Sequence, residues 1–397
     1  MACGEELSTV PGSLMIDTDS HLSEPPDLWT SRLPSKYQEM APRVITDERA
    51  GIDRWIVGDR KLTGVAGFAT AGWTEHPPKF PPTQAQADPA AFNAKDRLRR
   101  MDEFGIYAQC LYPNLLAFMT FAFRKVPDPE FAKACIRAYN DFLVEFADIA
   151  PDRFIALCVL PFWDLEESVR ELDRAHQLGH RGVLFIGKPH KLDLPPLDDD
   201  HWEPLLKAVE ERGLALNFHT GFSEWNEAEF LGQLGRNNSR ADYVKSSALS
   251  QLGLAETLAD LTTSQLCVRY PNLKIVMVES GVGWIRYFLE LLDWQWQNSG
   301  AHLVYPDREC PSFYFLRQIY GSFWFERESV SRIIDLYQDN ILFETDFPHP
   351  TSLSPGPTST SGTPGEMAEI ALAGVDPVIK RKVLYDNAAK LYHVRGA

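Results

Sequence analysis

Eight short apolar runs punctuate this chain, most of them separated by amphipathic stretches, and that alternation restricts the fold more than any other feature. The runs are LMID (14–17), IYAQCLYP (106–113), FIALCVLP (154–161), GVLFIG (182–187), LALNFH (214–219), LKIVMVE (273–279) and ILFETD (341–346), with IYGSFWF (319–325) a weaker eighth. Helical patterns lie between them, for example over residues 128–151, 165–180 and 201–213. Strands that are apolar on both faces and alternate with helices belong in a parallel sheet. About eight such units in one chain favour an α/β fold of the (β/α)8 TIM barrel type. An open doubly wound sheet is the competing architecture, but no G-x-G-x-x-G follows the first run to support its dinucleotide-binding form.

Residues 14–397 therefore read as a single barrel domain, and residues 1–13 as an N-terminal tail without the basic and apolar regions of a signal peptide. Three stretches interrupt the pattern: residues 50–93, rich in Pro, Gly and aromatics; residues 220–250, which hold Trp225; and the low-complexity residues 350–365. Loops this long in a compact domain are commonly functional, and these are expected to cap the C-terminal face of the barrel.

The formal charge of −16 argues against nucleic acid or an anionic membrane as partner, because both require clustered Lys and Arg. No apolar run approaches the roughly 20 residues of a membrane span. The six cysteines are scattered without a C-x-x-C pair, the pattern of reduced thiols in a cytoplasmic protein. The aromatic helix over residues 284–297 can pack on its own barrel or on a second copy of the chain.

Barrel chemistry sits at the C-terminal ends of the strands. The first run leads into Asp19, His21 and Glu24; the fifth ends in His219, the sixth in Glu279, and the eighth in Asp346, with His349 just beyond. Singly, each has a bland reading. His219 can be a core histidine, Glu24 can start a helix, Glu279 can pair with an arginine, and Asp346 can cap a turn. Jointly, four carboxylates at one rim repel one another, and bound cations are the natural remedy. Residues i and i+2 of a strand share a face, so Asp19 and His21 can reach one ion. Trp29, Trp73, Phe222 and Trp225 are candidates for an apolar substrate wall, with Phe80, Tyr112, Trp163 and Trp284 as further aromatics near the mouth.

The motifs DTDSH, NFHTG, VESGVGW, ETDFPHP and the terminal DNAAKLY together resemble the amidohydrolase superfamily, in the branch that includes aminocarboxymuconate-semialdehyde decarboxylases. The resemblance runs from residue 14 to about residue 394 and implies that Asp19, His21, His219 and Asp346 bind metal. The sequence departs from the decarboxylases at Asp19, where they have His, at Glu24, at Glu279 in place of a sixth-strand His, and at His349. The metal-bridging lysine of many dinuclear hydrolases is matched only poorly, by Lys188. Seven candidate ligands can serve two metals. A carboxylate-rich variant of the superfamily, from diterpenoid antibiotic biosynthesis, is a non-haem diiron monooxygenase, and the chain is similar to it.

Three functional expectations follow. The first is a diiron oxygenase with two Fe, hydroxylating a terpenoid or acyl substrate, such as a coenzyme A thioester, with O2 and an electron donor. The second is a hydrolase or non-oxidative decarboxylase with one Zn or Mn, in which Asp346 acts as general base and Glu24, Glu279 and His349 orient ligands and water. The third is a barrel that only binds or scaffolds.

Overall fold

In the computed structural model, residues 14–222 and 239–395 are described. Eight parallel strands close into a barrel: β1 (Met15–Leu22), β5 (Ile106–Pro113), β6 (Phe154–Val159), β7 (Gly182–Phe185), β8 (Ala215–His219), β9 (Lys274–Val278), β10 (Ile319–Phe323) and β11 (Ile341–Phe343), which returns to β1. All eight apolar runs carry a strand, the weaker run at 319–325 included. β1 runs on past LMID to Leu22, so Asp19 and His21 lie on the strand, as their i, i+2 spacing requires, whereas Glu24 lies beyond its end.

Helices form where local signals start and stop them. Asp128 accepts the Glu130 N–H at the start of Pro129–Ala147, and Asp164 accepts the Glu167 N–H at the start of Leu165–Leu178. These side chains satisfy amides that the first helical turn leaves open. Gly179 ends the second of these helices with φ 106°, a conformation that glycine enters without strain.

The first interruption is more ordered than a plain loop. Residues Arg43–Asp47 (β2), Ile52–Val57 (β3) and Arg60–Gly64 (β4) form a three-stranded antiparallel sheet that begins ahead of the expected segment. Val57 pairs with Arg60 across a Gly58–Asp59 turn, and Gly58 has φ 59°. A Gly-Asp pair is a recognised signal for such a tight hairpin.

The helix Ile285–Asn298 buries Ile285, Leu289 and Trp296 and leaves Tyr287 and Trp294 exposed. Cys110, Cys135, Cys158 and Cys267 are buried and Cys310 is partly buried; all five are unpaired. Among the described residues, no helix is long and apolar enough to cross a membrane.

Candidate metal centre

Five consecutive polar residues of β1, Asp17 to His21, are fully buried. Burying a polar group without a partner costs free energy, so each must be accounted for. Thr18 donates its hydroxyl to the Phe343 carbonyl (3.0 Å), and Ser20 donates to that of Cys110 (2.8 Å). Asp17 accepts the Thr345 N–H (2.8 Å), the Thr345 hydroxyl (2.5 Å), the Gln109 amide (2.8 Å) and the Asp19 N–H (3.2 Å). Two residues further along, neither carboxylate oxygen of Asp19 has a hydrogen-bond partner.

The two histidines nearest Asp19 show what those oxygens face. His21 Nδ1 stands 3.3 Å from the Pro113 carbonyl, and His219 Nδ1 stands 2.5 Å from that of Thr220. A carbonyl only accepts, so each ring carries its proton on Nδ1 and presents a bare Nε2. Those two Nε2 atoms are 2.9 Å apart. A shared proton does not explain the contact. Burial holds the His21 imidazole well below its ordinary pKa and brings His219 down to about 4, so both are neutral near pH 7. Two facing lone pairs repel unless a cation lies between them.

Around this pair stand Asp19 Oδ1, 3.5 Å from His21 Nε2; Asp19 Oδ2, 3.6 Å from His219 Nε2; Asp346 Oδ1, 3.7 Å from His21 Nε2; and Glu279 Oε2, 3.3 Å from His219 Nε2. Ligands about 2.1 Å from one ion stand roughly 3.0–3.4 Å from each other, close to this spacing. His349 completes the cluster: its Nδ1 lies 2.8 Å from Asp346 Oδ1, and its ring stacks on His21 at 3.7 Å. The donors fall into three overlapping groups: Asp19–His21–His219, His21–Asp346–His349 and Asp19–Glu279–Asp346.

Fit to a metal can be judged from the buried atoms alone. Both oxygens of Asp19 and one of Asp346 are buried without hydrogen bonds, and the Asp19 carboxyl is pushed well above the usual carboxylate range by burial and by Glu344, Asp346, Glu279 and Asp17. A divalent ion removes both penalties at once. The donor set of imidazole and carboxylate suits Mn, Zn or Fe. This is a buried His/Asp metal site.

Backbone geometry aims two of the acids. Glu279 and Asp346 have φ of 51° and 57°, left-handed values that cost energy in a residue with a Cβ. Both are held there. Glu344, fully buried on the run after β11, accepts the Glu279 N–H at 3.1 Å on each oxygen. The Asp346 N–H donates to the Asp19 carbonyl (2.9 Å), and Thr351 donates its hydroxyl to Asp346 Oδ2 (2.6 Å), leaving Oδ1 for the cluster.

Of the seven expected ligands, six converge: Asp19, His21, His219, Glu279, Asp346 and His349. Glu24 does not join them. The chain turns after Leu22, and Glu24 Oε1 accepts the N–H groups of Asn114 (3.0 Å) and Leu115 (2.8 Å). Burial lifts its carboxyl to about 7. Lys188 is also elsewhere, paired with Glu256 at 3.1 Å.

The expected aromatic wall is largely corrected. Trp29 is fully buried in the core, donates to the Cys135 carbonyl (3.0 Å) and packs on Trp55 and Phe123. Phe222 is buried against Phe162, Trp73 sits in the cap beside Thr358, and Trp225 lies outside the described residues. The cavity over the cluster, about 290 Å³, is instead walled by Phe68, Phe80, Phe118 and Met119, with Lys79 and Tyr243 among its polar residues and Glu279 and His349 at the metal end. The Phe118 ring lies 5.8, 5.4 and 6.0 Å from those of His21, His219 and His349, and stacks with Phe68 at 5.4 Å. Of the candidates from sequence, Phe80 lines this cavity, and Tyr112 is buried beneath the rings of His21 and His219.

The family model described as amidohydrolase matches residues 16–394. The chain belongs to the amidohydrolase family. Within its surroundings, it is 25% identical over 264 residues to the γ-resorcylate decarboxylase of Rhizobium radiobacter, covering 64% of this chain and 76% of that one. An amidohydrolase from Mycobacterium avium subsp. paratuberculosis K-10 shares the fold with a TM-score of 0.75 at 22% identity, over 98% of this chain and 99% of the other. The 5-carboxyvanillate decarboxylase of Novosphingobium aromaticivorans, crystallised with manganese and 3-methoxy-4-hydroxy-5-nitrobenzoic acid, shares it at 0.64 and 18% identity, over 96% and 97%. The closed parallel barrel is the amidohydrolase fold.

Proposed function

We propose that this amidohydrolase-family chain is a metal-dependent non-oxidative decarboxylase of a small, flat carboxylic acid of the hydroxybenzoate kind. The observation that carries the reading is the junction of two features. A donor cluster with unpartnered carboxylate oxygens opens into a cavity of about 290 Å³ walled by stacked phenylalanines. The named relatives that act on aromatic acids support the same reading.

Asp19, His21, His219 and Asp346 would hold the ion. A Mn or Zn ion bound there would supply Lewis-acid chemistry toward an anionic substrate. Phe118 and Phe68 offer a stacking face and exclude water from one side of the ring. Lys79 adds a positive charge to the lining of a strongly acidic protein and favours an anionic substrate. Glu279 lines the cavity and, as a carboxylic acid, would deliver a proton to the substrate carbon as the carbon–carboxylate bond breaks and CO2 leaves. Asp346, oriented by the Thr351 hydroxyl on its Oδ2, would offer Oδ1 to the ion.

The test is manganese-loaded protein with a panel of hydroxybenzoates, assayed with and without O2. Release of CO2 that is equal in both supports the reading; no turnover of any member with Mn or Zn sinks it.

One observation favours a second reading. Six donors exceed the three or four that one catalytic ion takes, and His349 Nδ1 against Asp346 Oδ1 at 2.8 Å makes a second close contact of donor atoms beside the His21–His219 one. Two irons fit that count, and with them O2-dependent hydroxylation of a terpenoid or acyl substrate, drawing on an external electron donor. Two Fe per chain and O2 consumption coupled to product select this reading; one ion per chain rejects it.

A further inference from the structure

His349 meets the cluster differently from the other two histidines. Its Nε2 lies 2.9 Å from Asn114 Oδ1, and its Nδ1 faces Asp346 Oδ1. Although that second distance is only 2.8 Å, Asp346 Oδ1 has no hydrogen-bond partner, so the ring does not aim an N–H at it. Stacking on His21 at 3.7 Å, with planes 20° apart, fixes the ring plane and leaves the choice of protonated nitrogen to the edge contacts.

Asn114 is itself held. It is 2% exposed, its N–H donates to Glu24 Oε1 (3.0 Å), and its amide nitrogen donates to Ser23 Oγ (3.3 Å). With the amide nitrogen engaged by Ser23, the carbonyl oxygen is what His349 meets. A carbonyl oxygen can only accept, so the proton belongs on Nε2.

We propose that Asn114 is a positioning residue of the metal centre. By accepting the Nε2–H of His349 it makes that ring present Nδ1, the opposite nitrogen to the one His21 and His219 present, and Glu24 acts at one remove by anchoring Asn114. The inference rests on the metal site and not on the reaction proposed for it. It also gives Glu24 a role in the centre without making it a ligand. Partners that fix a ligand's tautomer commonly alter metal affinity by about 10- to 100-fold when removed.

The experiment reads the tautomer directly. Protein labelled with 15N-histidine and stripped of metal is examined by ring 15N–1H correlation, with His349→Gln used for assignment. His349 is expected as the Nε2–H form, and His21 and His219 as Nδ1–H forms. An Nδ1–H form at His349 overturns the proposal. Manganese affinity is then measured for Asn114→Leu and Asn114→Asp. The leucine variant is expected to lose about 10- to 100-fold, and the aspartate, which keeps an acceptor oxygen, to stay within a few-fold of the unsubstituted protein. Equal affinity in all three overturns the proposal. Should Asn114→Leu fail to fold, the tautomer in the unsubstituted chain still decides. No substrate is involved, so a failed decarboxylase assay leaves the tautomer result standing.

Discussion

Asp17 and Asp19 stand two residues apart on one strand, both fully buried, yet they do opposite things. Asp17 sits in the barrel floor, where four hydrogen bonds reach it from Thr345, Gln109 and the Asp19 amide. Near it the Arg97 guanidinium, itself buried, donates to the carbonyls of Ala90 and His21 (2.6 Å each) and to the Gln109 side chain. Asp19 sits at the mouth with both oxygens unpartnered. The floor is hydrogen-bonded throughout by the chain's own groups, although burial still lifts the Asp17 carboxyl to about 7. The mouth is complete only with something the chain does not encode. A buried acid is thus no sign of a metal site in itself; the absence of donors around it is.

The comparison breaks if the two aspartates respond alike to removal. Asp17→Ala strands the Thr345 and Gln109 donors, each worth about 1–3 kcal/mol when left buried and unpaired. We expect roughly 4 kcal/mol lost from the metal-free protein, read by urea unfolding. Asp19→Ala is expected to leave metal-free stability unchanged or slightly higher, because it relieves repulsion, while manganese affinity falls at least about 100-fold, near 2.7 kcal/mol. Equal destabilisation by both variants would contradict the distinction between floor and mouth.

Metal addition sharpens the same point. Free manganese at about 100 times its dissociation constant for the unsubstituted chain is expected to stabilise that chain by roughly 2.7 kcal/mol and Asp19→Ala by no more than about 0.4 kcal/mol. A thermal melt with and without chelator measures it; an unshifted melting temperature in the unsubstituted chain would remove the metal from the account of the mouth.

The smallest effect is expected at Glu24. Glu24→Gln keeps an acceptor for the Asn114 and Leu115 amides and should hold manganese nearly as well as the parent. Glu24→Ala should lose about tenfold through Asn114 and His349. If both variants lost metal as completely as Asp19→Ala, Glu24 would be a ligand after all.

Much of this was legible in the sequence, for physical reasons. Strands buried on both faces are mostly apolar, so seven announced themselves and the eighth showed more weakly; β1 did so only through its apolar start, before five buried polar residues. Asp19, His21, His219, Glu279 and Asp346 were found because polar residues at strand ends are conspicuous against such runs. Glu344 was overlooked although it lies two residues before Asp346, the same spacing that made Asp19 and His21 a pair. Glu24 misled because closeness along the chain does not survive a turn: β1 ends at Leu22, and the acid swings to the Asn114 amides. Asn114, Phe68 and Phe118 carried no signal, since loops far apart in sequence bring them to the histidines. Trp29 has the composition of a pocket wall, but its indole is held by the Cys135 carbonyl inside the core.

The seam between β1 and β11 has a consequence for how the protein matures. Asp19 and His21 belong to the first strand synthesised, whereas Asp346 and His349 follow the last, and the Asp346 amide closes onto the Asp19 carbonyl across that join. A nascent chain still short of residue 346 lacks two of the six donors, Asp346 and His349. An ion held by both sets of donors would tie the first strand to the run after the last, stapling the barrel at its closing seam.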